Sequence, residues 1–223
     1  MKIIRKNRTE ILNLISNQII NLIKEQENPS FLIPSDQNLI DLYQKIVEKY
    51  HNKTISFVES KIFTLSEYIN SEKNRIESLN QIIDNNLIKK IDLKKENFYY
   101  PKDVSSYNQL LDSIFKFNFT LLYLDNDFEI SFNSIKGKLI NRTKIIGLSD
   151  ILIKDRFKDQ KNHPQLAITL GIKDIFEKSE NIYLLILGED KKNIINKIED
   201  KNDFFFLKLL LMHKNITILT DNL

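Results

Sequence analysis

Asp125, Asn126, Asp127 and Glu129 carry the groups in this chain best suited to chemistry, and they fall within five consecutive positions. Carboxylates held this close can move protons or orient a polar ligand, provided the fold presents them to a cleft. The residues before them, Phe117–Leu124 (FNFTLLYL), are apolar, aromatic and uncharged. Such a run fits a strand buried on both faces in the middle of a parallel sheet. In open α/β sheets ligands sit outside the carboxyl ends of the strands, which makes this loop the first candidate site. Asp-Asn-Asp is also ordinary turn chemistry, so a plain solvated turn is the competing reading.

Presenting that loop takes a sheet flanked by helices, and the remaining chain reads as one. Asn7-x-x-Glu10 has the form of a capping box, followed by Ile11, Leu12, Ile15, Ile19, Leu22 and Ile23 at helical spacing. Phe31–Ile33 reads as a strand and Pro34–Asn38 as a turn, with Asn38 capping a helix that carries Leu39, Leu42, Tyr43, Ile46 and Val47. Thr54–Val58 reads as extended, Lys61–Leu65 as a core strand and Phe98–Tyr100 as a short one. Helices are expected through Ile76, Leu79, Ile82, Ile83 and Leu87, capped by Ser71, and through Leu110, Leu111 and Ile114. Further strands are expected at Asn141–Leu148, Asn181–Leu187 and Asn215–Thr220, and helices at Gln165–Leu170, Lys191–Ile198 and Phe204–Met212. This alternation predicts one three-layer α/β/α, Rossmann-like domain over residues 1–223, with a mostly parallel sheet and right-handed crossovers.

Composition narrows the function. A chain of 223 residues with 42% hydrophobic and 28% charged residues is long enough for one full core. Net charge is only +3, with Lys interleaved among Asp and Glu, which argues against nucleic acid as the main partner. No apolar run reaches the roughly 18 residues of a membrane span. The basic start, MKIIRKNRTEIL, is interrupted too early for a signal peptide, so the expected location is cytoplasmic. There is no Cys, and His51, His163 and His213 lack metal-ligand spacing, so neither a thiolate nucleophile nor a metal site is expected. With 4 Gly in the chain, no Gly-rich phosphate loop or G-x-S-x-G elbow is present, and no cofactor is expected.

The segment HPQLAITLGIKDIFEKSENIYLLILGEDKK, His163–Lys192, resembles the glucosamine-6-phosphate deaminase (isomerase) family in its P-x-x-A-I-T-x-G-I order, its strand ending in L-G and the Lys three residues later. KIFTLSEY at Lys61–Tyr68 is similar to the family's F-N-x-D-E-Y. NDFEISFN at Asn126–Asn133 is similar to N-D-G-H-I-A-F-N, and NRTKI at Asn141–Ile145 to S-R-T-R-I. The similarity runs in order along nearly the whole chain. Lactonases of sugar phosphate metabolism share the fold, but Phe132-Asn133 and the N-R-T-K-I segment favour the deaminase side.

The resemblance implies an amino-sugar phosphate as ligand, with proton abstraction, isomerisation and loss of ammonia as chemistry. It also implies catalytic positions at Ser66, Asp127 and Glu129, of which only Asp127 matches. Ser66 replaces the carboxylate base, Glu129 the ring-opening His, and Ser134 the second acid. Losing such groups costs about 10²–10⁴ each. Substrate-binding positions fall at Ser35 and Asn38 in the first loop and at Arg156 and Lys191, the latter pair similar to the family's phosphate-binding cations. Asp36 replaces a loop glycine; a carboxylate about 5 Å from a phosphate costs ~3 kcal/mol per unit charge at a dielectric of about 20. The same Asp36 can instead serve as an internal counter-charge to the two cations. Leu122, Tyr123 and Phe128 replace glycines and would fill the substrate's space. Two readings follow: a catalytically inactive relative kept for binding or for assembly, as a homo-oligomer or with a partner subunit, and an enzyme with changed sugar-phosphate chemistry built on Asp127 and Glu129.

Overall fold

The computed structural model describes residues 1–52, 55–69, 78–135, 142–158, 163–199 and 209–222. The first half of the chain forms β1 (Lys2–Arg5), α1 (Arg8–Glu25), β2 (Ser30–Ile33), α2 (Ile40–His51), β3 (Lys61–Thr64), β4 (Ser66–Tyr68), α3 (Leu79–Asn86), β5 (Phe98–Tyr99) and α4 (Val104–Ser113). The second half forms β6 (Phe119–Tyr123), β7 (Glu129–Ile130), β8 (Asn133–Ser134), β9 (Lys144–Gly147), α5 (Asp150–Phe157), β10 (Leu166–Thr169), α6 (Ile172–Lys178), β11 (Ile182–Ile186), α7 (Lys192–Glu199) and β12 (Ile216–Thr220).

Seven strands pair in the order β1-β12-β11-β6-β2-β3-β5, and every pair is parallel. Every residue of β2 and β6 is buried, as central strands covered on both faces require. Alternation along these strands builds the two halves of the core. Phe31, Ile62, Leu121 and Tyr123 pack with α1, α2 and α3, whereas Leu32, Phe63, Leu122 and Leu184 pack with α4, α6 and α7. From β2 the chain moves outward through β3 to β5, and from β6 it moves the other way through β11 to β12. β2 and β6 are neighbours, so the switch point, and the crevice it opens, lies between their carboxyl ends.

Several local expectations are corrected. The helix expected at Gln165–Leu170 is strand β10: Leu166–Thr169 pairs antiparallel with both β4 and β9, and this sheet pairing outweighs local propensity. The strand around Ile145 therefore belongs to a separate three-stranded sheet and not to the parallel one. The run Lys61–Leu65 breaks at Leu65, so that Ser66 starts β4 in that second sheet. Asp36, not Asn38, supplies the cap after β2: its carboxylate accepts from the Asn38 N–H (2.9 Å), and a 3-10 turn at Gln37–Leu39 precedes α2. Ser78 caps α3 through a capping box with Gln81; the expected cap Ser71, with Ile76, lies outside the described residues, as do Thr54, Asn141 and residues 204–208 of the helix expected at Phe204–Met212. The capping box at Asn7 and Glu10 is present as read. Strand β1 was not expected; four residues with charged ends carry too little periodicity.

Candidate functional site

The crevice between β2 and β6 holds a cavity of about 20 Å³, lined in part by Ser35, Asp36, Ser66, Tyr123, Asp125 and Arg156. Two loops, strand β4 and the end of α5 shape it, held by hydrogen bonds both within each segment and between them.

After β2, the buried Tyr43 of α2 donates its hydroxyl to the Pro34 carbonyl (2.6 Å) and accepts from the Asp36 N–H (3.0 Å). That clamp turns the Asp36 side chain inward. One carboxylate oxygen caps the 3-10 turn, and the other accepts from the Arg156 guanidinium at 2.6 Å. The two side chains are 9% and 18% exposed, so this ion pair is shielded from water and screened little by salt. The neighbouring Ser35 Oγ is buried with no hydrogen-bond partner among the described residues.

The second wall is β4. Ser66 is buried on the cavity. Glu67 accepts from the Tyr68, Leu79 and Asn80 N–H groups, tying β4 to the start of α3. Burial pushes the Glu67 carboxyl up despite these bonds. Tyr68 packs against Phe132 and Phe157 and places its hydroxyl 3.5 Å from Arg156.

The third wall is the loop after β6. Asp125 Oδ1 accepts from the N–H groups of Asp127 (3.1 Å) and Glu129 (2.8 Å), and its Oδ2 lies 4.0 Å from Arg156. Burial raises its pKa to about 6. Glu129 rises to about 7, first from burial and then from repulsion by Asp125 and Asp127. The loop closes as a β7–β8 hairpin in which Glu129 faces Ser134 across the strands. Phe128 and Phe132 adopt left-handed backbone, with φ of 59° and 63°. For bulky side chains that conformation costs roughly 1–2 kcal/mol per residue. The loop is held there by Asn133, whose side-chain amide donates to Ile130, Ser131, Thr169 and Leu170.

The expected site residues separate into two groups. Ser35, Ser66 and Arg156 line the cavity. Asp127, Glu129, Asn38 and Lys191 are not among its lining residues. Asn38 is exposed and offers its carbonyl to Arg8. Lys191 is buried and donates to Asn126 (3.0 Å) and to Asp190 (3.1 Å). Of the side chains expected to fill the space, Tyr123 lines it, while Leu122 and Phe128 pack with the other half of the core. Asp125, among the loop residues read as a candidate site, does line the cavity, and its orientation is set by its hydrogen bonds to the Asp127 and Glu129 N–H groups. Among the described residues no group of three His, Cys, Asp or Glu side chains could hold a metal ion, and no helix is long and apolar enough to cross a membrane.

Comparison with known proteins places this geometry in context. No protein-family model matches the chain. The glucosamine-6-phosphate deaminase of Borreliella burgdorferi is 30% identical over 241 aligned residues, covering 98% of this chain and 88% of that protein. The deaminase of Malacoplasma penetrans is 26% identical over 225 residues, covering 94% and 93%. Among solved structures, a monomeric glucosamine-6-phosphate deaminase superposes with a TM-score of 0.87 at 24% identity, over 100% of this chain and 98% of that one. The 6-phosphogluconolactonase of Thermotoga maritima superposes at 0.76 and 14% identity, over 98% of each chain. The two superpositions speak to the fold alone.

Proposed function

Because this chain belongs to the glucosamine-6-phosphate deaminase family, we propose that it keeps the family's fold without the deaminase reaction, and serves through binding or assembly instead. The ion pair of Asp36 with Arg156, set in a cavity of about 20 Å³, carries this reading. Small-molecule sites run to about 300–1,000 Å³. A space of this size suits about one water molecule. In the resemblance, Arg156 stands where relatives bind phosphate; here its charge is already met by a carboxylate of the same chain. Ser66 lacks the basicity to abstract a proton near pH 7 without a partner.

A second reading, an enzyme of changed sugar-phosphate chemistry built on Asp127 and Glu129, draws on one observation. Asp125 and Glu129, with pKa values of about 6 and 7, have the acidity that general acid–base work near neutrality needs. Ammonia release from glucosamine 6-phosphate tests the first reading, with none expected above background. Turnover within about tenfold of an ordinary relative, a loss well short of the 10²–10⁴ per missing group, would overturn it if abolished by Asp127→Asn.

A further inference from the structure

A second and larger cleft, about 370 Å³, lies at the opposite end of the parallel sheet. Ser30, Lys61 and Asn118 mark it, at the amino ends of the neighbouring strands β2, β3 and β6. We propose that this cleft is a ligand site for a planar aromatic ring that carries an anionic group.

The ring is implied by the floor and the rim. Phe63 is buried and stacks on Tyr99, with centroids 4.6 Å apart and planes at 13°, which holds the partly exposed Tyr99 ring in the cleft wall. Phe115, also in the lining, is 90% exposed. A second aromatic side chain left in water beside a first is placed to close over a ring, in stacked or edge-to-face contact. The charge is implied by the polar groups. Lys61 and Lys116 both line the cleft and among the described residues no carboxylate does, although Glu180 accepts from the side-chain amide of the lining Asn118 (3.0 Å). Lys116 already donates to the Glu177 carbonyl. Ser30 and Asn118 are bonded to each other. Lys61 has no ion-pair partner among the described residues, so it is the group left to meet an anion. The volume falls within the usual range for small-molecule sites, about 300–1,000 Å³.

Calorimetric titration of the full chain tests the assignment. The probes are adenosine monophosphate and 4-hydroxyphenylacetate, which combine ring and anion, with adenosine as ring alone and inorganic phosphate as anion alone. The combined probes are expected to bind at least about tenfold more tightly than either half, since stacking and charge each contribute. Lys61→Glu is expected to weaken binding about tenfold or more, and Phe115→Ala about fivefold. Both side chains are exposed, so an unchanged melting curve will confirm that the variants fold. Asp36→Gly, in the other cavity, should leave the affinity unchanged. No heat from either combined probe at millimolar concentration, equal binding of adenosine and its monophosphate, or indifference to Lys61→Glu would overturn the proposal. So would a protein segment occupying the cleft in its place.

Discussion

The two ends of the parallel sheet have been treated in opposite ways. At the carboxyl end, where α/β folds bind ligands, the crevice is occupied by the chain's own groups: Tyr123 from the strand, Asp36 from the first loop, and Arg156 between two carboxylates. At the amino end a cleft of about 370 Å³ is left beside the Tyr99 ring and a lysine, Lys61, with no ion-pair partner among the described residues. The contrast lies in where charge is met. In the first region it is met internally, and the charges belong to the stability of the fold. In the second it is left for another molecule, and removing it should cost the fold little.

Breaking the internal pair makes the largest difference between the two ends. Arg156→Ala leaves Asp36 and Asp125 buried without a cation, and should lower stability by about 3 kcal/mol, the lower end of the range for losing one partner of a buried pair, since Arg156 is still partly exposed. Lys61→Glu at the open end should stay within about 0.5 kcal/mol. Urea denaturation of both variants checks this. Equal effects would mean that the Arg156 pair behaves as a surface contact, and the contrast would fail.

The pH dependence sharpens the same contrast. The folded-state pKa values of Asp125 and Glu129, about 6 and 7, lie above ordinary carboxylate values. The folded state therefore holds these protons more tightly than the unfolded state. Stability from these groups is full below about pH 4 and is lost as pH rises through about 6 and 7. For Asp125 the loss is about 3 kcal/mol. Asp125→Asn should flatten the fall in melting temperature between pH 4 and 8, whereas Lys61→Glu should not. A slope that Asp125→Asn leaves unchanged would assign the buried charge elsewhere.

How much of this was legible in the sequence depended on how far each feature relies on distant contacts. The central strands could be read because residues such as Phe31, Leu121 and Leu184 sit in continuous apolar runs that only a doubly covered sheet accommodates. β10 could not: Leu166–Thr169 is short, and its conformation is set by partners about 20 and 100 residues away. The counter-charge role of Asp36 was readable only through the resemblance, which brings Arg156 and Lys191 to the first loop; the structure pairs Asp36 with Arg156, while Lys191 bonds Asn126 and Asp190. The inward turn of Asp125 was not readable, because it rests on N–H groups of Asp127 and Glu129 that the folded loop brings round. Nor was the separation of Arg156 from Lys191: spacing along the chain does not reveal that Lys191 would be turned toward Asn126.

The most direct test of the account is calorimetric titration of glucosamine 6-phosphate into the unmodified protein and into Asp36→Gly. With the cleft closed by its own counter-charge, the unmodified protein should bind weakly or not at all. Asp36→Gly should bind measurably, and adding Arg156→Ala should remove the gain. A micromolar dissociation constant for the unmodified protein, weakened by Arg156→Ala, would contradict it.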